Sequence, residues 1–358
     1  MAAPNPEREL SRLEQELARG LPRCLVLLGP GAWFRARACD LVLAKVPAQA
    51  ELRQVDGEQA GDGEELALLR GGGLFARQSC LLVRRAEAWL TAHKDTLAGT
   101  IARIAPTATL VLETTKLDRR TRLGKALEQG GGVFEFRELY ADPFDARQSP
   151  LETELVQWLV GRSRAAQVPL RPEAAFLLIA TVGKEPGELV QELQRLKAQC
   201  GAVTAPLRPE DLRGRLNTSF ESNPFELAEA VLAGDRRRAL RSLAAMFRRG
   251  VRDRDGGTMD KGGVFPFATS WMYQALTQAY EGRLLLDRGV PLGEIGNRVG
   301  VRVFQDRFLR QVQKNPAPRL ARMLGLLARA QTELRTTGEE PELLLEAFVA
   351  RALAGAGA

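Results

Sequence analysis

Cys24-Leu25-Val26-Leu27-Leu28-Gly29-Pro30-Gly31 is the stretch that decides how the chain is read. Five apolar residues without alternation suit a strand buried on both faces, and the Gly-Pro-Gly that follows cannot prolong it. Residues 33–46 then carry apolar side chains at helical spacing, at Phe34, Ala38, Leu41 and Val42. The same alternation recurs downstream. Residues 79–84, 109–113 and 132–136 read as three further strands, and residues 66–70, 89–104 and 117–129 as the helices between them. Short buried strands separated by helices predict a parallel α/β sheet in three layers.

After Pro143 the strand signal stops. Residues 153–168, 172–182 and 185–199 read as three amphipathic helices, closed by Pro- or Gly-containing turns. A further helical segment opens at Asn223-Pro224-Phe225-Glu226, with Asn223 as N-cap and Glu226 placed as in a capping box. Helical text continues to the end apart from residues 250–263, whose Gly and charge content reads as a mobile loop. There is no repeat of fixed period. The expected division is an α/β domain over 1–140, a small helical domain over 141–214 and an all-α domain over 215–358.

The chain has 358 residues, 45% apolar and 27% charged, which fits two or three folded domains and argues against pervasive disorder. No apolar run approaches the ~20 residues of a spanning helix. The start, Met-Ala-Ala-Pro-Asn-Pro-Glu-Arg, has neither a basic nor an apolar leader region, so a soluble cytoplasmic protein without membrane contact is expected. Four widely spaced cysteines (24, 39, 80, 200) form no Cys-x-x-Cys pair, and the single histidine, His93, reads as a solvated turn residue. Metal sites and histidine-dependent hydrolysis are thereby disfavoured, and no catalytic residue, cofactor or metal is assigned.

Of the net charge of +7, residues 1–140 carry +2, residues 141–214 carry −1 and residues 215–358 carry +6. Arg236, Arg237, Arg238, Arg241, Arg248, Arg249, Arg252 and Arg254 crowd together in the last part. Such a face suits a phosphate backbone, but 43 Arg against 8 Lys also fits ordinary solvated helix faces, and charge alone does not decide between them.

A strand, a Gly-rich turn and a helix is where a nucleotide's phosphates would be cradled. The phosphate-loop pattern G-x-x-x-x-G-K-S/T counted from Gly29 meets Phe34, Arg35 and Ala36 at its Gly, Lys and Ser/Thr positions. Phenylalanine blocks close approach and alanine cannot ligate magnesium. The acid expected after the next core strand is replaced by Arg84-Arg85. ATP hydrolysis is not expected from such a site. A degenerate phosphate loop and a plain strand-end turn both satisfy the text.

The order of segments resembles the delta subunit of the bacterial DNA polymerase III clamp loader over most of the chain. Five stretches carry the resemblance: residues 25–29 with the helix after them, residues 73–83, residues 110–120, the lid-like residues 154–196, and Asn223-Pro224-Phe225-Glu226-Leu227-Ala228-Glu229-Ala230-Val231-Leu232-Ala233-Gly234-Asp235. The resemblance implies an AAA+-like α/β domain with a degenerate phosphate loop, a helical lid and an all-α collar that joins a five-subunit ring. It implies a subunit that binds the beta sliding clamp and opens it for loading onto primed DNA, without hydrolysing ATP itself. It implies the gamma/tau and delta prime subunits as partners, inside the holoenzyme of a DNA-directed DNA polymerase. Gly187 falls where active relatives place a nucleotide-sensing arginine. Residues 250–263 depart from the family by their length.

By the same resemblance Leu74-Phe75 would be the hydrophobic wedge that enters the clamp. Read from the residues alone, the pair either packs under the following strand or stands exposed behind Gly71-Gly72-Gly73, whose flexibility lets a tip project. Phe304 and Arg307, in Val301-Arg302-Val303-Phe304-Gln305-Asp306-Arg307, match a collar stretch near DNA in some relatives, and helix packing is the alternative there. Trp33 reads as core. Two other functions stay on the table: a divergent NTPase using residues 29–37, and a basic helical DNA-binding protein, for which no helix-turn-helix signature is present.

Overall fold

The computed structural model describes residues 4–59, 61–70, 78–130, 132–144, 148–201, 203–212, 215–216, 224–252 and 258–354. Strand β1 (Cys24–Leu28) is buried along its whole length. It lies parallel between β4 (Ala108–Thr114) and β5 (Gly132–Glu135), with Val26 opposite Leu112 on one side and Val133 on the other. Beyond β4 come β3 (Ser79–Arg84) and then β2 (Glu51–Asp56), giving the order β2-β3-β4-β1-β5. The unbroken apolar runs of β1, β3 and β4 are the text of strands covered on both faces.

Alternate residues feed two layers. Cys24, Val26 and Leu28 join Leu81, Val83, Leu110 and Leu112 against α3 (Glu87–Ala92), α4 (Lys94–Thr100) and α5 (Arg122–Gly130), through Trp89, Leu97 and Leu127. Leu25 and Leu27 are equally buried and face the other layer, formed by α1 (Pro6–Arg19) and α2 (Ala32–Leu43). Full burial of each such side chain contributes roughly 1.5–3 kcal/mol. The outer edge of β5 is covered by α1: Arg12 donates to the Val133 carbonyl at 2.6 Å, and the Glu135 N–H donates to Glu9 at 3.4 Å.

Strand β2 was not expected from the sequence. Glu-Leu-Arg-Gln-Val-Asp shows no buried run because β2 is an edge strand with exposed side chains on both faces. The single helix expected over 89–104 is divided at His93 into α3 and α4. The helix expected from residue 117 begins at Arg122, after Asp118 has closed a turn on the Arg120 N–H at 3.0 Å.

Backbone contacts divide the chain into two compact units, Met1–Leu139 and Tyr140–Ala358. The second contains α6 (Glu154–Ala165), α7 (Pro172–Val182), α8 (Pro186–Cys200), the one-turn α9 (Pro209–Leu212) and α10 (Pro224–Ala233). Then come α11 (Arg236–Arg249), α12 (Lys261–Asp287), α13 (Leu292–Arg298), α14 (Gln305–Lys314), α15 (Ala317–Thr336) and α16 (Pro341–Ala352). Leu227, Val231, Leu243, Met246, Phe265, Met272, Leu327 and Phe348 knit α10, α11, α12, α15 and α16 into one core. A mobile loop over 250–263 does not describe the ends of that segment. Val251–Arg252 (β6) pairs antiparallel with Thr258–Met259 (β7), and Asp260 caps α12 by accepting from the Gly263 N–H at 2.8 Å. No described helix is long and apolar enough to cross a membrane.

Candidate functional site

In an open α/β sheet, ligands bind beyond the carboxyl ends of the strands, where neighbouring connections leave on opposite faces. Here that place lies between β1 and β4: the helix after β1 is α2, on one face, and the helix after β4 is α5, on the other. The Gly29-Pro30-Gly31 turn stands there, and the protein uses it internally. Gly29 donates its N–H to the Thr114 carbonyl at 3.1 Å, Gly31 donates to Phe136 at 2.8 Å, and Pro30 has no N–H. The glycines are required by close approach rather than by a ligand. A Cβ on Gly31 would stand 2.6 Å from the Arg137 carbonyl, and Gly29, at φ +113°, would drive one into the Phe136 carbonyl.

Arg35, on the first turn of α2, fills the crevice. Its guanidinium donates to the Gly29 carbonyl and lies 3.3 Å from Glu113 of β4, with the side chains only 10% and 12% exposed. The β1–β4 register sets Leu27 opposite Glu113, which brings this carboxylate beside the turn. Phe34, one residue earlier, is core. Trp33 is half-buried, edge-on to Phe34 at 4.9 Å, in keeping with a packing role. Arg85, where an acid would hold magnesium, pairs with Asp56 and Glu58.

Three of the four cysteines are muted as nucleophiles. Burial pushes the Cys24 and Cys39 thiols up to about 12 and Cys80 up to about 11, with Glu113 adding to the effect at Cys39. Almost no thiolate is available from them at neutral pH. His93 is half-buried rather than fully solvated, its ring 5.1 Å from that of Trp89.

Leu74 and Phe75 lie outside the described residues, as do Asn223 and Arg254. The chain on either side of residues 71–77 is pinned: Leu69 accepts from the Ala105 N–H, and Ser79 Oγ donates to the Leu68 carbonyl at 2.8 Å. Gly187 sits in the first turn of α8 and brings no side chain.

Phe304 and Arg307 are brought together at the start of α14. Phe304 is the N-cap residue, in the left-handed region at φ +57°, with its ring edge-on to Phe176 at 6.3 Å. Arg307 lies 5.6 Å from the Phe304 ring centroid and is held by Glu229 at 2.7 Å and Glu210 at 3.4 Å. Glu229 also takes Arg238 at 2.9 Å, and Arg238 in turn donates to Glu226. That hydrogen bond to Glu226 is the main reason the Arg238 guanidinium is held above its ordinary value. The carboxylate read as part of a capping box is thus an ion-pair partner for α11. The α11 arginines divide accordingly: Arg238 is internal, while Arg236, Arg237, Arg241 and Arg248 are exposed.

Glu113 and Glu229 were not singled out in the sequence. The only available signal was an acid closing an otherwise apolar strand (Glu113) and an acid three residues after another on a buried helix (Glu229).

No protein-family model matches the chain, and no curated protein matches it. Among solved structures it is similar to the Bacillus subtilis DNA clamp loader delta protein, with 18% identity over 96% of this chain and 99% of that one, at a TM-score of 0.47. It is also similar to Thermotoga maritima RuvB, a Holliday junction branch migration motor, with 15% identity over 85% of this chain and 86% of that one, at a TM-score of 0.35.

Proposed function

We propose that this chain is a delta-type subunit of a clamp loader, which binds the sliding clamp and opens it for loading onto primed DNA without hydrolysing ATP itself. The observation that carries the reading is the occupied crevice. A sheet with a strand–Gly-turn–helix unit at its switch point spends the donors of that turn on its own carbonyls and fills the space with Arg35. Phosphoryl transfer needs backbone N–H groups, a lysine and a magnesium ligand aimed at the phosphates; here the Gly29 and Gly31 N–H groups are bonded to carbonyls, the lysine position holds Arg35 paired with Glu113, and the Ser/Thr position holds Ala36. A non-catalytic member of a motor assembly fits those residues better than a divergent NTPase does. The resemblance to the delta family supplies the rest: Leu74 and Phe75 as the clamp-binding wedge, residues 215–358 as the collar that meets the gamma/tau and delta prime subunits, and Phe304 with Arg307 near DNA.

Calorimetry with magnesium–ATP tests the non-catalytic part. The wild-type chain is expected to give no saturable heat, and Arg35→Lys is expected to give none either, because the Gly29 and Gly31 N–H groups stay committed. Saturable binding by the wild type, lost on altering residues 29–37, would establish the NTPase reading instead.

A further inference from the structure

Within the second unit, among the described residues, no helix of α6–α9 packs along a helix of α10–α16. The core that knits α10–α12 to α15 and α16 takes no side chain from α6–α9. Between the two sets lies an open cleft of about 640 Å³, with Arg171 and Pro209 on one side and Phe304 and Arg310 on the other. Contacts that bridge it gather on one short turn, residues 302–307. Arg302 donates to the Gln148 carbonyl at 3.1 Å. The Phe304 ring stands edge-on to Phe176 of α7 at 6.3 Å. Arg307 reaches Glu210 of α9 at 3.4 Å. Bodies that share a core leave few voids larger than a water molecule, and these two leave a cleft.

Opposing effects meet at that turn. Phe304 holds a left-handed backbone, at φ +57°, which favours glycine and strains a residue with a side chain. Its ring contact with Phe176, and the Arg307 guanidinium 5.6 Å from its centroid, hold it there. Arg307 is itself held unequally. Glu229, on the same side of the cleft, is 17% exposed and 2.7 Å away, whereas Glu210, across the cleft, is 58% exposed and 3.4 Å away. An exposed pair of the second kind is weak and is screened by salt. Releasing Glu210 leaves Arg307 paired with Glu229, so no buried charge is stranded when the bridge breaks.

We propose that residues 302–307 form a releasable clasp about which α6–α9 swing. The closed arrangement is the one in the structure; in the open one Phe304 leaves Phe176 and Glu210 leaves Arg307. On opening, the Phe304 backbone relaxes out of the left-handed region, and that relief offsets the ring contact and the exposed ion pair that are lost. Effects of similar size and opposite sign keep both arrangements populated. The cleft is the space through which the swing takes place. The clasp uses contacts of the second unit alone, so it stands or falls separately from the clamp-loader reading.

Double electron–electron resonance on the full chain, with spin labels at R171C and R310C on opposite sides of the cleft, tests it. Cys200→Ser removes the one native thiol that is not fully buried. With the clasp otherwise intact, two distance populations are expected, the open one growing as salt rises. Glu210→Gln is expected to raise the open population roughly two- to threefold at low salt, the range of an exposed pair, and to remove most of the salt dependence. Glu294→Gln breaks an ion pair of similar exposure inside α13 and is expected to change neither. Phe304→Ala loses the ring and keeps the strain, whereas Phe304→Gly loses both. The closed-to-open ratio should therefore be about fivefold or more higher for Phe304→Gly. A single distance unmoved by salt and by Glu210→Gln would overturn the clasp, as would equal ratios in the two Phe304 variants. Glu210 is exposed, so its variant decides the matter even if the Phe304 variants melt early.

Discussion

Alanine at both Leu74 and Phe75 is expected to weaken binding to the sliding clamp by about 4 kcal/mol, since truncating a buried interface anchor commonly costs about 2 kcal/mol or more. That is close to three decades in Kd. Melting temperature should hardly move, because substitutions at exposed positions usually stay within about 0.5 kcal/mol. A pair packed under β3 would give the opposite signature: each change would cost roughly 2–5 kcal/mol of folding stability. Measuring melting and clamp affinity on the same double variant separates the two. Strong destabilisation would return both residues to the core and leave the clamp without a wedge.

Arg35→Ala should be the most damaging change in the crevice. It strands the Glu113 carboxylate among buried groups, and breaking one partner of a buried pair costs roughly 3–5 kcal/mol. Replacing both together, Arg35→Met with Glu113→Leu, should recover most of that loss, because an apolar pair of similar size leaves no buried charge unmatched. Chemical denaturation of the wild type, both single variants and the double variant gives the coupling directly. A loss below about 0.5 kcal/mol for Arg35→Ala would mean that the side chain is solvated and the crevice open.

Where the sequence was legible, local text was enough. Strand β1 is apolar throughout, β3 and β4 carry the apolar runs Cys80-Leu81-Leu82-Val83 and Leu110-Val111-Leu112, and α7 is bounded by Pro172 and Gly183, so both kinds of element declare themselves within a dozen residues. Strand β2 does not, because an edge strand owes its place to the ladder with β3 and not to burial of its own side chains. The two-residue strands β6 and β7 are too short to show any period. The candidate sites depend on partners distant in sequence. Arg35 could be seen to replace a lysine, but its partner Glu113 is supplied by the β1–β4 register. Phe304 and Arg307 could be picked out as an aromatic beside a cation. That Arg307 is held by Glu229 and Glu210 depends on how α9, α10 and α14 meet.

The clamp-loader reading is tested most directly by titrating the purified wild-type chain against the sliding clamp of the same organism, with no nucleotide present. On the proposed reading the chain carries its own clamp-binding residues and needs no ATP-driven step, so saturable one-to-one binding is predicted, stronger than about 1 μM, or about −8 kcal/mol. No detectable binding at tens of micromolar, with the chain folded by its melting curve, would contradict it.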